Sequence, residues 1–265
     1  MADQIGKLSV GLRAENGVKL KGLAGEALHA LFFRIIRQNY PELAFKIHNQ
    51  EEQKPFSLTP PLGDVELRQG YTVISAGTTL TFGLAFLTEE LLVAGVSALI
   101  NAMKGNQTLM LLRTPVILES LDLSKGRFSS FSNMLTDASS SPIITLGFLT
   151  PTSFRKNEIQ VTFPQPELVF SSLLRRWNAF SDSKLPEEHI PLFNSIKVSS
   201  YDLHTELVNF SRYKIIGFKG KVMYELPKDA SEDFLRAANV LADFALFSGV
   251  GAKTAMGMGQ VQRIN

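Results

Sequence analysis

The sequence GVGAKTAMGMG, residues 249–259, places four glycines in eleven positions shortly before the chain reaches Asn265. Glycine permits a positive φ and lets another group approach the main chain, whose N–H groups can then surround an anion. A purely structural interpretation has Gly249 ending the preceding helix, with Gly257 and Gly259 forming a tight turn into a strand. The alternative is that a bound ligand lies against the whole stretch.

Two familiar anion-binding motifs do not match this loop. A P-loop needs a glycine five residues before its Gly-Lys-Thr step, but Leu246 stands there, and Ala252 separates Gly251 from Lys253. The dinucleotide-binding fingerprint needs a third glycine where Thr254 stands, and it needs a strand before the loop and a helix after it. The pattern here predicts a helix before the loop and a strand after it.

Composition predicts a soluble globular protein. The chain has 265 residues, 45% of them hydrophobic and 20% charged, and this length favours two modest domains. The net charge of +2 and the pI near 8.7 are weakly basic, so a polyanion would be bound by local clusters of cations. The lack of cysteine excludes disulfides, thiolate catalysis and cysteine-based zinc sites.

No segment of the sequence predicts membrane insertion. The first ten residues lack an apolar signal core, and the longest apolar run, 80–103, is interrupted by Glu89 and Glu90. We therefore expect a cytoplasmic protein without a membrane partner.

Hydrophobic periodicity in the first half predicts the order β-α-β-β-α-β. A strand over 7–14 is followed by a helix carrying Leu28, Leu31, Phe32 and Ile35 on one stripe. Pro41 ends that helix and can open a second, short one. Two strand regions, a helix begun by Thr88 as N-cap and a last strand complete the set.

The same order returns after a Ser-rich linker at 138–142. A helix over 231–248 has Asp229 and Glu232 spaced like a capping box, and a short strand closes the chain. The predicted fold is α+β, with two tandem ferredoxin-like domains packed side by side. We expect an N-terminal domain over 1–137 and a C-terminal domain over 142–265.

Separate stretches of the sequence resemble one known family. The spacing of the glycine pairs in 249–259, with Lys253 between them, resembles the C-terminal glycine-rich loop of the CRISPR-associated repeat-processing endoribonucleases of the RAMP superfamily. The helix-to-strand segment 28–63, FLTPTSFR at 148–155 and GFKGKVMYEL at 217–226 also resemble segments of this family. The matches occur in the family's order, with 85–140 weakly covered.

The resemblance implies a metal-independent endoribonuclease without a cofactor. Its partner would be CRISPR repeat RNA, cut by attack of a ribose 2′-OH on the adjacent phosphate. The RNA would lie against the glycine loop, which would explain its bare main chain. Effector-complex subunits and a second copy of the chain stay open as further partners. Two alternatives also stay open, a non-catalytic RNA-binding RAMP subunit and a small-molecule enzyme that binds a nucleotide phosphate.

The resemblance also implies catalytic residues. His48 stands six residues before Lys54, the family's spacing for a catalytic histidine and lysine; His48 would act as acid or base, and Lys54 would balance the phosphate charge. Some members carry a tyrosine where this chain has Phe33, which cannot transfer a proton. His29 and Tyr40 share the helical stripe of Phe33, and His29 is our second catalytic candidate.

Further candidates are RNA-binding residues. We expect RNA contacts from the glycine loop, a strand on which two lysines share a face, and a cation after 148–154: Gly249, Gly251, Lys253, Thr254, Gly257, Gly259, Lys219, Lys221 and Arg155. Arg175 and Arg176 are expected on a helix surface beside a buried Trp177. No histidine pair has metal-site spacing, so we expect no metal.

Overall fold

The computed structural model describes residues 3–50, 53–63, 65–105 and 107–264. The elements of the first half are, in chain order, β1 (Gln4–Ala14), β2 (Val18–Lys21), α1 (Gly25–Asn39), α2 (Pro41–Asn49), β3 (Phe56–Gly63), β4 (Val65–Arg68), β5 (Tyr71–Ile74), β6 (Thr79–Phe86), α3 (Glu89–Lys104), β7 (Leu109–Leu111), β8 (Thr114–Ser130) and α4 (Phe131–Thr136).

The first sheet has the predicted ferredoxin-like topology. Its strands lie in the order β3-β6-β1-β8-β7, and the pairs β1–β6, β1–β8 and β3–β6 are antiparallel. The chain path β1-α1-β3-β6-α3-β8 is therefore a split β-α-β-β-α-β unit. Helices α1 and α3 contact strands of this sheet, while β2, β5 and β4 form a separate small sheet.

The second half repeats this topology. Its elements are β9 (Ile143–Thr152), β10 (Phe154–Lys156), β11 (Ile159–Val161), α5 (Pro166–Phe180), α6 (His189–Leu192), the 3-10 turn Phe193–Ser195, β12 (Lys197–Asn209), β13 (Lys214–Glu225), α7 (Glu232–Ser248), the 3-10 turn Thr254–Met256 and β14 (Val261–Arg263). The sheet order β12-β13-β9-β14 gives a second ferredoxin-like unit, with β10–β11 as an added hairpin.

Helix α7 connects the two units. It packs against α5 in its own unit and also contacts β1, β3 and β6 of the first sheet. Ile5 and Ala85 of the first sheet belong to the same buried cluster as the core of the second unit. Phe131 of α4 joins that cluster too, with its ring 4.8 Å from Trp177. The units therefore share a hydrophobic interface through α7.

Most helix boundaries agree with the sequence prediction. Pro41 stands at the first turn of α2, and the Thr88 hydroxyl accepts a hydrogen bond from the Leu91 amide at the start of α3. The capping box on Asp229 is wrong, because the Ser231 hydroxyl caps α7 by accepting from the Phe234 amide. No helix in the described ranges is long and apolar enough to cross a membrane.

Candidate active site

His48 lies in the last turn of α2, at the mouth of a pocket between α1 and α2. The pocket has a volume of about 560 Å³, and Arg34, Arg37 and Phe33 of α1 also line it. The His48 side chain is exposed, with its ring 6.0 Å from Phe33. A solvent-accessible imidazole and two arginine side chains therefore line the same pocket.

Lys54 closes the C-terminal end of α2. Its Nζ donates to the backbone carbonyls of Ile47, His48 and Gln50 at 2.8, 2.8 and 2.7 Å. Carbonyls at a helix C-terminus have no intrahelical donors, and an ammonium has three N–H groups to offer them. Lys54 thus anchors the turn that carries His48, and a direct hydrogen bond from Lys54 to a phosphate would require one of these contacts to break.

His29 is a half-buried neighbour of His48. Its ring lies 4.8 Å from Phe33 and 5.7 Å from Phe56. Burial, together with the nearby positive charges of Lys54, His48 and Lys253, lowers the pKa of His29 to about 4, while Glu26 opposes this. His29 is therefore neutral at neutral pH, which suits a hydrogen-bonding role better than that of a general acid.

Arg176 is a buried cation that connects the glycine loop to this site. Its Nη1 donates to the Thr254 hydroxyl at 2.8 Å and its Nη2 to the Lys54 carbonyl at 3.2 Å, while its Nε has no partner in the described residues. Burial lowers the pKa of Arg176 to about 10. The expected helix-surface position is wrong for Arg176, which is 7% exposed, while Trp177 is buried as predicted.

Close contacts within the protein explain why most of these loop positions cannot carry a side chain. A Cβ at Gly249 would lie 2.8 Å from the Gly259 carbonyl oxygen, and one at Gly251 would lie 2.5 Å from the Ser153 carbonyl oxygen. A Cβ at Gly257 would lie 3.0 Å from the Pro60 ring, and one at Gly259 would overlap the Val250 carbonyl oxygen.

Direct RNA contact along the whole loop stays a prediction, and the structure shows how exposed each of its predicted residues is. Gly249, Thr254, Gly257 and Gly259 are buried. The loop amides are also largely engaged: Val250 N donates to Gly259 O, Gly251 N to Ser172 Oγ, Ala252 N to Ser153 O and Gly259 N to Pro151 O.

Lys253 is the exposed point of the loop. It has a φ of 60°, and its Nζ lies 5.6 Å from the centre of the Tyr213 ring at the tip of the β12–β13 hairpin. Gly251 beside it is partly exposed. Lys253 contributes to the lowered pKa of His29, and a Cβ at Gly25, the first residue of the helix that carries His29, would overlap the Met256 carbonyl oxygen, so the loop packs against the start of α1.

The first unit also fixes the helix that leads into the loop. Lys7 Nζ donates to the Leu246 carbonyl at 3.1 Å, and the Ser57 hydroxyl donates to the Phe247 carbonyl at 2.6 Å. Both carbonyls belong to the last turn of α7, where donors are otherwise missing. Burial lowers the pKa of Lys7 to about 8.

The other predicted RNA contacts lie on the second unit, outside the pocket lining. Phe218 and Val222 of β13 are buried and Lys221 is exposed, which confirms the alternation along this strand. Lys219 forms an ion pair with Glu206 at 3.4 Å. Arg155 is exposed on the β10–β11 hairpin, where its guanidinium lies 3.8 Å from the carboxylate of Glu158.

Sequence patterns did not single out Arg176 and Lys7 as residues of this site, although the helical pattern around Arg176 indicates a buried position. Val169, Leu173 and Arg176 follow an i, i+4, i+7 pattern, which places Arg176 on the buried stripe of α5. Lys7 gave no such signal, because its partners come from the other end of the chain. Within the described ranges, no cluster of three His, Asp or Glu residues could hold a metal ion.

Fold and site together define a protein of the RAMP type, with two ferredoxin-like sheets and a glycine-rich loop that reaches the first unit. A RAMP protein described as binding different RNA substrates shares the fold, with a TM-score of 0.62 over 98% of this chain and 13% identity. Two family models match the sequence, the Cas6 N-terminal domain at 8–93 and the CRISPR-associated endoribonuclease Cas6 at 146–261. These matches cover most of the chain, which belongs to the Cas6 family.

Individual relatives agree with this assignment. A CRISPR-associated endoribonuclease Cas6 of Mycobacterium tuberculosis is 24% identical over 194 residues, which are 72% of this chain and 61% of the relative. A Cas6 product complex is 26% identical, with a TM-score of 0.85 over 99% of this chain and 100% of that chain. Thermus thermophilus Cas6 has a TM-score of 0.74 at 26% identity, with both chains fully covered.

Proposed function

We propose that this protein is a metal-independent endoribonuclease that cleaves CRISPR precursor RNA within its repeats. The observation that carries the proposal is the exposed His48 imidazole, which lines one pocket with Arg34 and Arg37 in a member of the Cas6 family. Solved Cas6 relatives are described as a product complex and a substrate mimic complex, which supports repeat RNA as the partner.

The proposed reaction is an internal transesterification. The ribose 2′-oxygen attacks the adjacent phosphorus and loses its proton, while the bond from phosphorus to O5′ breaks and O5′ takes up a proton. The products are a 2′,3′-cyclic phosphate and a free 5′-OH. His48 transfers a proton in this step, since imidazole is suited to acid–base chemistry near neutral pH. Arg34, Arg37 and Lys253 stabilise the charge on the phosphate.

Contacts between the units support a division of labour. The first unit supplies the proton-transfer group, and the second supplies Lys253 and holds it through Arg176, α7 and the loop. We propose that the domain boundary lies in the predicted linker, between 137 and 142. The linker falls between α4 and β9, which supports this division, although α4 packs on the second core.

The proposal is tested by incubating the protein with repeat RNA in excess chelator. We expect one cut within the repeat, a cyclic phosphate on the upstream product, and a loss of cleavage rate of about 10²–10⁴-fold for His48→Ala. His204→Ala is the matched control, since His204 is exposed on β12 and is not among the residues that line the pocket.

Three results would contradict the proposal. Cleavage that stops in chelator would exclude the metal-independent mechanism. Specific binding without any cleavage would favour the non-catalytic RAMP subunit. Preference for a nucleotide over repeat RNA would favour the small-molecule enzyme.

A further inference from the structure

Phe45 is an exposed aromatic side chain on the wall of the His48 pocket. It lies on α2, one turn before His48, and is 70% exposed. An exposed ring alone has no special meaning on a protein surface. The setting of Phe45 is distinctive, because the same pocket contains the half-buried Phe33 and the guanidinium groups of Arg34 and Arg37.

The charge around this ring favours an anionic ligand. No carboxylate of the described residues lines the pocket, and Arg37 is exposed without an ion-pair partner among them. Arg34 is held in place, because its Nη1 donates to the Met110 carbonyl at 2.8 Å. Aromatic rings beside basic groups are the combination with which proteins bind single-stranded RNA, stacking on bases and neutralising phosphates.

The basic surface continues beyond the pocket. Arg34 also lines a second cavity of about 610 Å³, together with Lys19 and Arg113, and no carboxylate of the described residues lines it. Both cavities are lined by Arg34, so the surface from His48 to the turn between β7 and β8, named here the α1 track, carries cations from both cavities. Its cations can contact successive phosphates of one strand.

We propose that this track binds unpaired RNA on one side of the cut. The base of the nucleotide next to the scissile linkage stacks on Phe45, its phosphate contacts Arg34 and Arg37, and the strand continues toward Lys19 and Arg113. This inference rests on the proposed function, because it assigns the nucleotide by its position relative to His48. The pocket volume lies within the range usual for small ligands, so one nucleobase fits.

The test uses repeat RNA in which the attacking 2′-OH is replaced by hydrogen, so that binding is measured without cleavage. The fluorescent base 2-aminopurine is placed on one side of the cut or on the other. We expect the wild-type protein to quench its fluorescence on one side only. Phe45→Leu should abolish this quenching and weaken binding about 10-fold, whereas Phe45→Trp should retain both.

Control variants separate the ring from general surface effects. Tyr201→Leu removes a similarly exposed ring, 61% exposed on β12, and should leave quenching and affinity unchanged. Arg37→Ala should weaken binding and reduce the slope of log affinity against log salt by about 0.7, as expected for one phosphate contact on single-stranded RNA. An abasic site at the quenched position should remove the difference between wild type and Phe45→Leu.

The outcomes also separate this inference from the proposed function. If the wild-type protein cleaves repeat RNA but Phe45→Leu binds and quenches like wild type, the subsite is refuted and the proposed function stands. If the wild-type protein neither cleaves nor prefers repeat RNA, both proposals fail. Equal quenching on both sides of the cut would also refute the subsite.

Discussion

At the scale of single residues, the site combines one exposed histidine with one that the fold keeps neutral. His48 faces solvent at the end of α2, while His29 packs between Phe33 and Phe56. The two imidazoles therefore have different environments within one site. Because His48 is the more exposed of the two, we propose that His48 transfers the proton and that the His29 ring shapes the pocket.

The pKa of His29 predicts a pH dependence of stability. In the unfolded chain a histidine titrates near 6.5, whereas folding lowers the pKa of His29 to about 4. The unfolded state therefore binds more protons between these values, and stability falls as the pH decreases from about 6.5 to 4. His29→Phe should flatten this part of the profile, measured as the urea midpoint against pH. If the pH dependence of stability is the same in His29→Phe and the wild type, the lowered pKa of His29 is refuted.

Sequence patterns singled out the histidines as candidates, but they did not reveal the contacts of the cations around them. The spacing of His48 and Lys54 singled out both residues, yet nothing in the sequence shows that the ammonium of Lys54 caps α2. Arg176 was assigned to the surface because arginine usually lies there. The local pattern of α5 places Arg176 on its buried stripe, but it cannot reveal the two acceptors, the Thr254 hydroxyl and the Lys54 carbonyl, which come from distant segments.

At the scale of elements, α2 is a short helix whose ends are both defined. Pro41 stands at its first turn, and Lys54 binds the carbonyls at its last turn. A nine-residue helix is marginal by itself, so these contacts determine where His48 lies.

Lys54→Met tests the role of this capping lysine. The variant keeps most of the apolar part of the side chain but loses three hydrogen bonds, which should lower the free energy of unfolding by about 1–3 kcal/mol. Cleavage should slow through kcat, because His48 is no longer held. Lys46→Met is the control, because Lys46 lies on α2 itself and forms an exposed ion pair with Glu90 of α3. Loss of this ion pair should cost less than about 1 kcal/mol. Equal effects of the two variants would contradict the capping role.

Helix α1 begins against the glycine loop, and Gly25 makes this possible. A Cβ at Gly25 would overlap the Met256 carbonyl oxygen, whereas one at Gly17 would find its nearest atom at 3.6 Å. Gly25→Ala should lower the free energy of unfolding by about 1–3 kcal/mol through this clash. Gly17→Ala should change it by less than about 0.5 kcal/mol. Comparable values in chemical denaturation would refute the close approach of helix and loop.

The elements were predictable where periodicity and capping residues are local. The strand of residues 7–14, the proline at the start of α2 and the Thr88 cap all appear in the structure. The contacts that require glycine in the loop could not be predicted from the sequence. Sequence shows that side chains are missing at Gly257 and Gly259, but the neighbours Pro60 and Val250 become visible only after folding.

At the scale of the whole molecule, two units of the same topology meet through α7 and the glycine loop. Lys7 and Ser57 donate hydrogen bonds to carbonyls at the end of α7, and Gly25 packs closely against Met256 of the loop. The internal repeat of the β-α-β-β-α-β pattern allowed this fold to be predicted, because each unit carries its own periodic strands and helices. The relative placement of the units depends on these contacts between distant segments.

The exposed position of Lys253 predicts that this lysine contributes to the salt dependence of RNA binding. If Lys253 contacts a phosphate, Lys253→Ala should weaken RNA binding and reduce the slope of log affinity against log salt by about 0.7. Lys104→Ala, at the exposed end of α3, should leave the slope unchanged. Titrations at several salt concentrations measure both slopes, and an unaltered slope for Lys253→Ala would remove this contact from the account.

The central claim is that His48 of the first unit and Lys253 of the second act on the same ribose-phosphate linkage. The most direct measurement is photo-crosslinking with uncleavable repeat RNA that carries 4-thiouridine beside the cut, followed by peptide mapping. The account predicts crosslinks to residues 29–50 and also to the loop around Lys253. Crosslinks confined to one unit, or located on the outer face of the second sheet around Lys221, would contradict it.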